Sequence, residues 1–229
     1  MTALPLFWAE GDPKIALSQT EQKAPIVVAL EQRFDVQPID LITAESLKPH
    51  RLLMLAQPGA LSPRELVFLD EWVQAGGRVV IFADPALEWP SIYGMGDPRR
   101  APSVTLLDPL FTHWNVRLAP SQPVTHQHDA QERSLLDVPI FTNSPGRWAN
   151  TSADCAMADN GFRLTCKIGK GRAELVADAD VLDERSRAKE GNSNSAVVIA
   201  LIESLSSNTS EREDLKIQDQ RKNSAPTRS

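Results

Sequence analysis

Two stretches of this 229-residue chain run from Gly-Arg through an apolar centre to Ala-Asp. Gly77-Arg78-Val79-Val80-Ile81-Phe82-Ala83-Asp84 lines up with Gly171-Arg172-Ala173-Glu174-Leu175-Val176-Ala177-Asp178, and Asp180 follows closely on the second. Acids at the ends of buried strands can hold a cation or bind a polar ligand, because ligands of open parallel sheets sit beyond the carboxyl ends of the strands. Asp84, Asp178 and Asp180 are therefore candidate ligand-binding residues, with Gln57 at the end of the preceding strand as their neighbour. The same acids have a purely structural use. An aspartate at a strand end caps the following turn through backbone N–H groups, and Asp84-Pro85 favours turn initiation.

Other chemistry is sparse. A nucleophilic α/β enzyme places Ser or Cys on a sharp strand-to-helix turn. The matching stretch here, Gln57-Pro58-Gly59-Ala60-Leu61-Ser62, has no thiol, and Ser62 is better used as a helix cap. His126 and His128, with Asp129 beside them, could share one face of a strand and ligate an ion; a polar solvated loop is the plainer reading, so no metal or cofactor is assigned. Gly94 to Arg100 has glycines and two arginines but lacks the Gly-Lys-Ser/Thr ending of a phosphate loop, so Arg99 and Arg100 read as a surface turn. Cys155 and Cys166 read as two reduced, partly buried thiols on neighbouring strands. A hairpin disulfide is the alternative if the protein is exported, since redox compartment decides the matter.

The elements that would position the strand-end acids are legible in outline. Leu4 to Trp8 reads as a first strand, Lys23 to Phe34 as a helix with Ile26, Val27, Leu30 and Phe34 on one face, and Phe34 to Ile39 as an edge strand. LLMLA after Arg51 is a buried strand. Ser62, Pro63 and Glu65 then form a capping box ahead of a helix whose apolar face is Leu66, Leu69, Trp72 and Val73. Gly76-Gly77 closes that helix, and Arg78 to Ala83 is the next strand. Strand, helix and strand in this order imply a right-handed crossover and a parallel pair. Residues 86–103 read as a loop and Thr105 to Trp114 as a helix. Residues 116–168 read as antiparallel additions at a sheet edge, and Asn194 to Leu205 as a closing amphipathic helix. Glu174 interrupts the second apolar run and places that strand nearer the edge of the sheet.

The chain is long enough to bury a core of its own. Residues 1–205 read as one α/β domain and 206–229 as a disordered polar tail. The net charge of −6 argues against a nucleic-acid partner. No apolar run approaches the roughly 20 residues of a membrane span. As written the chain reads as cytoplasmic, or as periplasmic or membrane-associated if a leader was lost.

The stretch HRLLMLAQPGALSPRELVFLDEWVQAGGRVVIFADP is similar to the auxiliary domain of uncharacterised ABC-type transport systems, a group that includes the gliding-motility-associated transporter component. The later IGKGRAELVADADVLD resembles the second landmark of that family. The resemblance implies a flavodoxin-like, class I amidotransferase-like doubly wound fold, with a mostly parallel sheet and no amidotransferase cysteine. It also implies a non-catalytic accessory role, binding a small polar ligand or the ATPase and permease subunits of a transporter. The readings set against it are a divergent metal-assisted hydrolase using the strand-end carboxylates, and an interaction scaffold with no ligand.

Overall fold

In the computed structural model the described residues are 1–7, 10, 23–120, 131–150, 152–183 and 194–206. The expected disordered tail, the His126–His128 pair and Trp8 lie outside them, apart from Ser206.

Helix α1 (Pro25–Glu31) buries Ile26, Val27 and Leu30 as their spacing requires. A short helix α2 (Ala44–Leu47) precedes strand β1 (Leu52–Ala56). Helix α3 (Pro63–Gln74) starts on the expected capping box: Ser62 Oγ accepts from Glu65 N at 3.3 Å, and Glu65 Oε2 accepts from Ser62 N at 2.9 Å. Leu69 and Val73 are fully buried on its inner face. Gly76 leaves the helix at φ 119°, and the chain turns into β2 (Arg78–Phe82). The pairing of β1 with β2 is parallel, from Leu52↔Arg78 to Ala56↔Phe82, as the crossover demands.

Helix α4 (Asp108–His113) has Pro109 in its first turn, where no N–H is needed. Strands β3 (Val116–Pro120), β4 (Gln131–Leu135), β5 (Val138–Thr142), β6 (Gly146–Asn150), β7 (Cys155–Ala158), β8 (Arg163–Ile168) and β9 (Gly171–Val176) follow. A 3-10 turn, Asp180–Leu182, leads towards helix α5 (Ser195–Ser206), which packs on α1 and β2.

The result is a mixed α/β fold around a five-stranded sheet in the order β1-β2-β9-β8-β7. The first two pairings in that order are parallel, and β9–β8 and β8–β7 are antiparallel. The sheet is thus mixed rather than mostly parallel, because the β7–β8 hairpin occupies the far edge of β9. The expected antiparallel region splits further: only β7 and β8 join the main sheet, while β3–β6 and β4–β5 form separate two-stranded ladders.

Three other expectations change. Strand β9 lies at the centre of the sheet, not towards its edge. Glu174 is 1% exposed there, and it is accommodated by a cross-strand hydroxyl and two guanidinium groups. Thr165 Oγ1 donates at 2.8 Å, and Arg163 and Arg172 pair with it at 3.2 and 2.9 Å. The N-terminal run contributes one parallel bridge, Thr2↔Ala56, with Leu4 and Leu6 buried beyond it. That bridge lies on the outer edge of β1, and Phe34 to Ile39 joins no ladder among the described residues and runs as irregular chain. Finally, Cys155 and Cys166 are not free thiols. They face each other across the β7–β8 hairpin and form a disulfide with Cα atoms 4.0 Å apart.

Candidate functional site

The two Gly-Arg…Ala-Asp runs are neighbours in space. Strands β2 and β9 pair in parallel with Arg78 opposite Arg172 and Phe82 opposite Val176, so the sequence echo is also the structural register. Ala83 N continues the ladder to Val176 O at 3.0 Å. Both chains then leave the sheet at the same level, and Asp84 and Asp178 emerge together. The glycines that begin the runs have a packing reason. A Cβ at Gly171 would strike the carbonyl oxygens of Val73 and Gly77, and one at Gly77 would strike the Trp72 indole.

Asp84, Asp178 and Asp180 each present a carboxylate oxygen within 4.8 Å of the other two. They are 0, 0 and 1% exposed. Asp84 Oδ1 accepts from Ala86 N at 2.7 Å and its Oδ2 from Ala179 N at 3.2 Å. Asp178 Oδ1 accepts from Val181 N at 2.7 Å, and its Oδ2 accepts from the Thr142 hydroxyl. Asp180 Oδ2 accepts from Ser144 Oγ at 2.6 Å and from Glu88 N at 3.1 Å. Ser144 Oγ also lies 3.4 Å from both oxygens of Asp84. Asp180 Oδ1 is buried with no hydrogen-bond partner among the described residues.

The turn-capping use of these acids is therefore real, and it coexists with the cluster. Asp84 caps the turn at Ala86 and Asp178 the one at Val181. Capping does not neutralise three buried charges, and among the described residues no Lys, Arg or His makes an ion pair with any of them. Burial disfavours a charged carboxylate, and like charges nearby disfavour it further. Burial, then Asp180, pushes the Asp84 carboxyl up to about 8. Burial, then Asp84 and Asp180, holds Asp178 well above the usual carboxylate range. Burial raises Asp180 to about 6 against the hydrogen bonds it accepts.

Gln57 reaches the same corner in a different role. It sits at φ 40° just after β1, and its amide clasps the Asp84 peptide. Oε1 accepts from Asp84 N at 2.9 Å, while Nε2 donates to Asp84 O at 3.3 Å and Pro102 O at 3.0 Å. It aims the Asp84 strand end and has no free donor for the cluster.

Sequence reasoning missed Thr142 and Ser144. They come from β5 and the turn after it, 36 residues before Asp178 and Asp180 and, for Ser144, 60 residues after Asp84. Asn194, at the start of α5, holds that segment in place. Its amide bonds both ways to the Phe141 backbone, at 2.8 and 3.2 Å, and donates to Val181 O at 3.0 Å. No motif marks the two hydroxyls, so only the tertiary fold could find them. The arginines set aside as a surface turn are that: Arg99 pairs with Asp97 at 2.7 Å, and Arg100 Nη1 donates to Tyr93 O.

Chemically, the corner offers three buried carboxylates and two hydroxyls, all oxygen donors. It can store protons or hold a hard cation. A cleft of about 480 Å³ lies elsewhere, beside Arg133, Asp137, Arg147 and Asp159.

A mixed-sheet α/β domain of this kind has known counterparts. The mmIFT52 N-terminal domain is similar over 80% of this chain and 89% of its own, with a TM-score of 0.55 and 13% identity. The Salmonella typhimurium LT2 cytoplasmic protein STM1381 is similar over 81% and 89%, with a TM-score of 0.50 and 9% identity. At such identities the likeness concerns the fold alone. An exo-beta-1,4-mannosidase, Op5Man5 from Opitutaceae bacterium strain TAV5, aligns at a TM-score of 0.45 and 14% identity over 72% of this chain, which spans only 27% of that enzyme. By sequence, no curated protein matches. Residues 9–132, more than half of the chain, do match the auxiliary family described as ABC-type uncharacterized transport system, and the chain belongs to that family.

Among the described residues no helix is long and apolar enough to cross a membrane.

Proposed function

We propose that the chain is a non-catalytic accessory module of an ABC-type transport system, acting beside separate ATPase and permease subunits. The family match over residues 9–132 carries this reading. Two features of the site support the non-catalytic part. The strand-to-helix turn where an α/β enzyme would expose a nucleophile holds Gln57, whose amide is consumed by the Asp84 peptide. The strand-end carboxylates are almost fully buried, which suits them to a small ion rather than to an organic substrate.

The scaffold we propose is flavodoxin-like and amidotransferase-like, forming one domain over residues 1–205. Four successive buried residues in β2, Val79 to Phe82, support a sheet covered on both faces. The rim of Gln57, Asp84, Asp178 and Asp180 is the ligand-binding region of this domain, and Gln57 serves it by fixing the Asp84 backbone. The Cys155–Cys166 disulfide supports work in an oxidising compartment, where such bonds persist.

Co-expression of the tagged full chain with the ABC ATPase and permease encoded beside its gene tests the role. Co-elution of the three after membrane solubilisation is expected. A gene neighbourhood without transporter subunits, or clean separation of the chain from those subunits, would remove it.

A further inference from the structure

We propose that Asp84, Asp178 and Asp180 form a buried binding site for one divalent cation of the Ca²⁺ or Mg²⁺ class. This deepens the ligand-binding role of the same rim and rests on that rim being the functional centre.

The donor set is the first argument. Three carboxylates converge with one oxygen each inside 4.8 Å. Opposing oxygens around a bound Ca²⁺ stand about 4.6–5.2 Å apart, and those around Mg²⁺ about 4.0–4.2 Å, twice the usual metal–oxygen distance. Oxygen-only ligation selects hard cations over softer metals that prefer nitrogen or sulfur. Ser144 and Thr142 add neutral hydroxyl oxygens at the same corner.

The second argument is an atom left over. Every other carboxylate oxygen in the cluster accepts a hydrogen bond. Asp180 Oδ1 accepts none, although its residue is 1% exposed. A buried acceptor without a partner is costly, on the order of 1–3 kcal/mol and more when charged. Native structures explain such groups by strain, catalysis or a missing ion or water. The surrounding charge points to the ion. Glu88 and Asp183 add further negative potential at Asp180, and no basic side chain among the described residues pairs with any of the three ligands. Burial of uncompensated carboxylates is tolerated when they coordinate a metal.

Position gives the ion a consequence. Asp84 accepts from Ala86 N and Asp180 from Glu88 N, so the two acids already grip the start of the 86–103 loop. Asp178 and Thr142 tie in the β5 ladder. A cation here joins β2, β9, the loop and the β4–β5 ladder at one point.

The test uses the purified full chain with its disulfide intact, stripped with EDTA and dialysed at pH 7.5. Addition of CaCl2 or MgCl2 is expected to raise Tm by about 5–10 °C at a hundredfold excess over Kd, and elemental analysis after desalting is expected to find one divalent ion per chain. Asp180→Asn should abolish both effects. If that variant does not fold, the stoichiometry of the wild-type chain decides alone. No Tm shift and no retained Ca²⁺, Mg²⁺ or Mn²⁺ would overturn the site and leave a proton-sharing cluster. An equal shift in wild type and Asp180→Asn would also overturn it, by placing the ion elsewhere. Because this assay needs no transporter subunit, its failure is separable from failure of the co-elution experiment.

Discussion

Strands β2 and β9 bury acids in two ways, and the contrast is instructive. In the middle of β9, Glu174 lies opposite Val80 of β2 and is compensated by Arg163, Arg172 and Thr165. At the tips of the same two strands, Asp84 and Asp178 are equally buried and have only hydroxyl and backbone donors. The mid-strand acid is possible because β9 stands where parallel pairing gives way to antiparallel. Its neighbour β8 brings Arg163 and Thr165 within reach, which an all-apolar parallel neighbour could not. A buried charge with cationic partners is a closed structural unit. A buried acidic cluster without them remains open to protons or a cation.

Removing one side of the closed unit should have the largest effect. Glu174→Ala removes the carboxylate shared by Thr165, Arg163 and Arg172, while Arg163 keeps Asp159 at 2.7 Å, and is expected to cost about 3 kcal/mol, read from the urea midpoint; a loss below 1 kcal/mol would show that Asp159 and solvent suffice for the two arginines. Next comes the hairpin that holds β8 against β9. Reducing the Cys155–Cys166 bond, which closes a loop with a separation of 11 residues, should cost about 3 kcal/mol through the unfolded chain. Thermal melts with and without reductant check it, and an unchanged Tm would contradict the bridge.

Smaller is the effect of crowding the start of β9. Gly171→Ala drives a Cβ into the Val73 and Gly77 carbonyls and should cost about 2 kcal/mol. Gly59→Ala, where a Cβ meets nothing within 4 Å, should be near neutral; equal effects at the two sites would sink the close-approach argument.

The last prediction concerns the strand tips in chelator. The folded-state pKa values of Asp84 and Asp180 are raised, to about 8 and about 6, above an unfolded value near 3.9. The folded protein therefore holds more protons than the unfolded chain across that window. Its stability should be greatest at acid pH and should fall as pH rises from about 4 through 8. A loss of at least about 1 kcal/mol between pH 5 and 8.5 is expected, the worth of roughly one pKa unit. Denaturant titrations at the two pH values that show equal or rising stability would contradict it.

Local rules made much of this readable. Ser62, Pro63 and Glu65 specified where α3 begins, and the LLMLA and RVVIF runs specified a parallel pair, because capping and apolar periodicity act within a few residues. The same logic overreached at Phe34 to Ile39, where the alternation is genuine but the segment joins no ladder among the described residues. It also misplaced β9, since a charge in an apolar run signals an edge only when no partner can reach it.

What the amino-acid order fixed unaided was the repeated run ending at Asp84 and at Asp178, the helix between β1 and β2, and membership of a transport-associated family. Register in space was decided by the fold, because strand neighbours depend on which edge is free once every segment has packed. The same holds for the disulfide, for Glu174 at the centre of the sheet, and for Thr142 and Ser144 beside the acids. Each of these joins groups brought together by long-range packing, and no spacing within a short window encodes it.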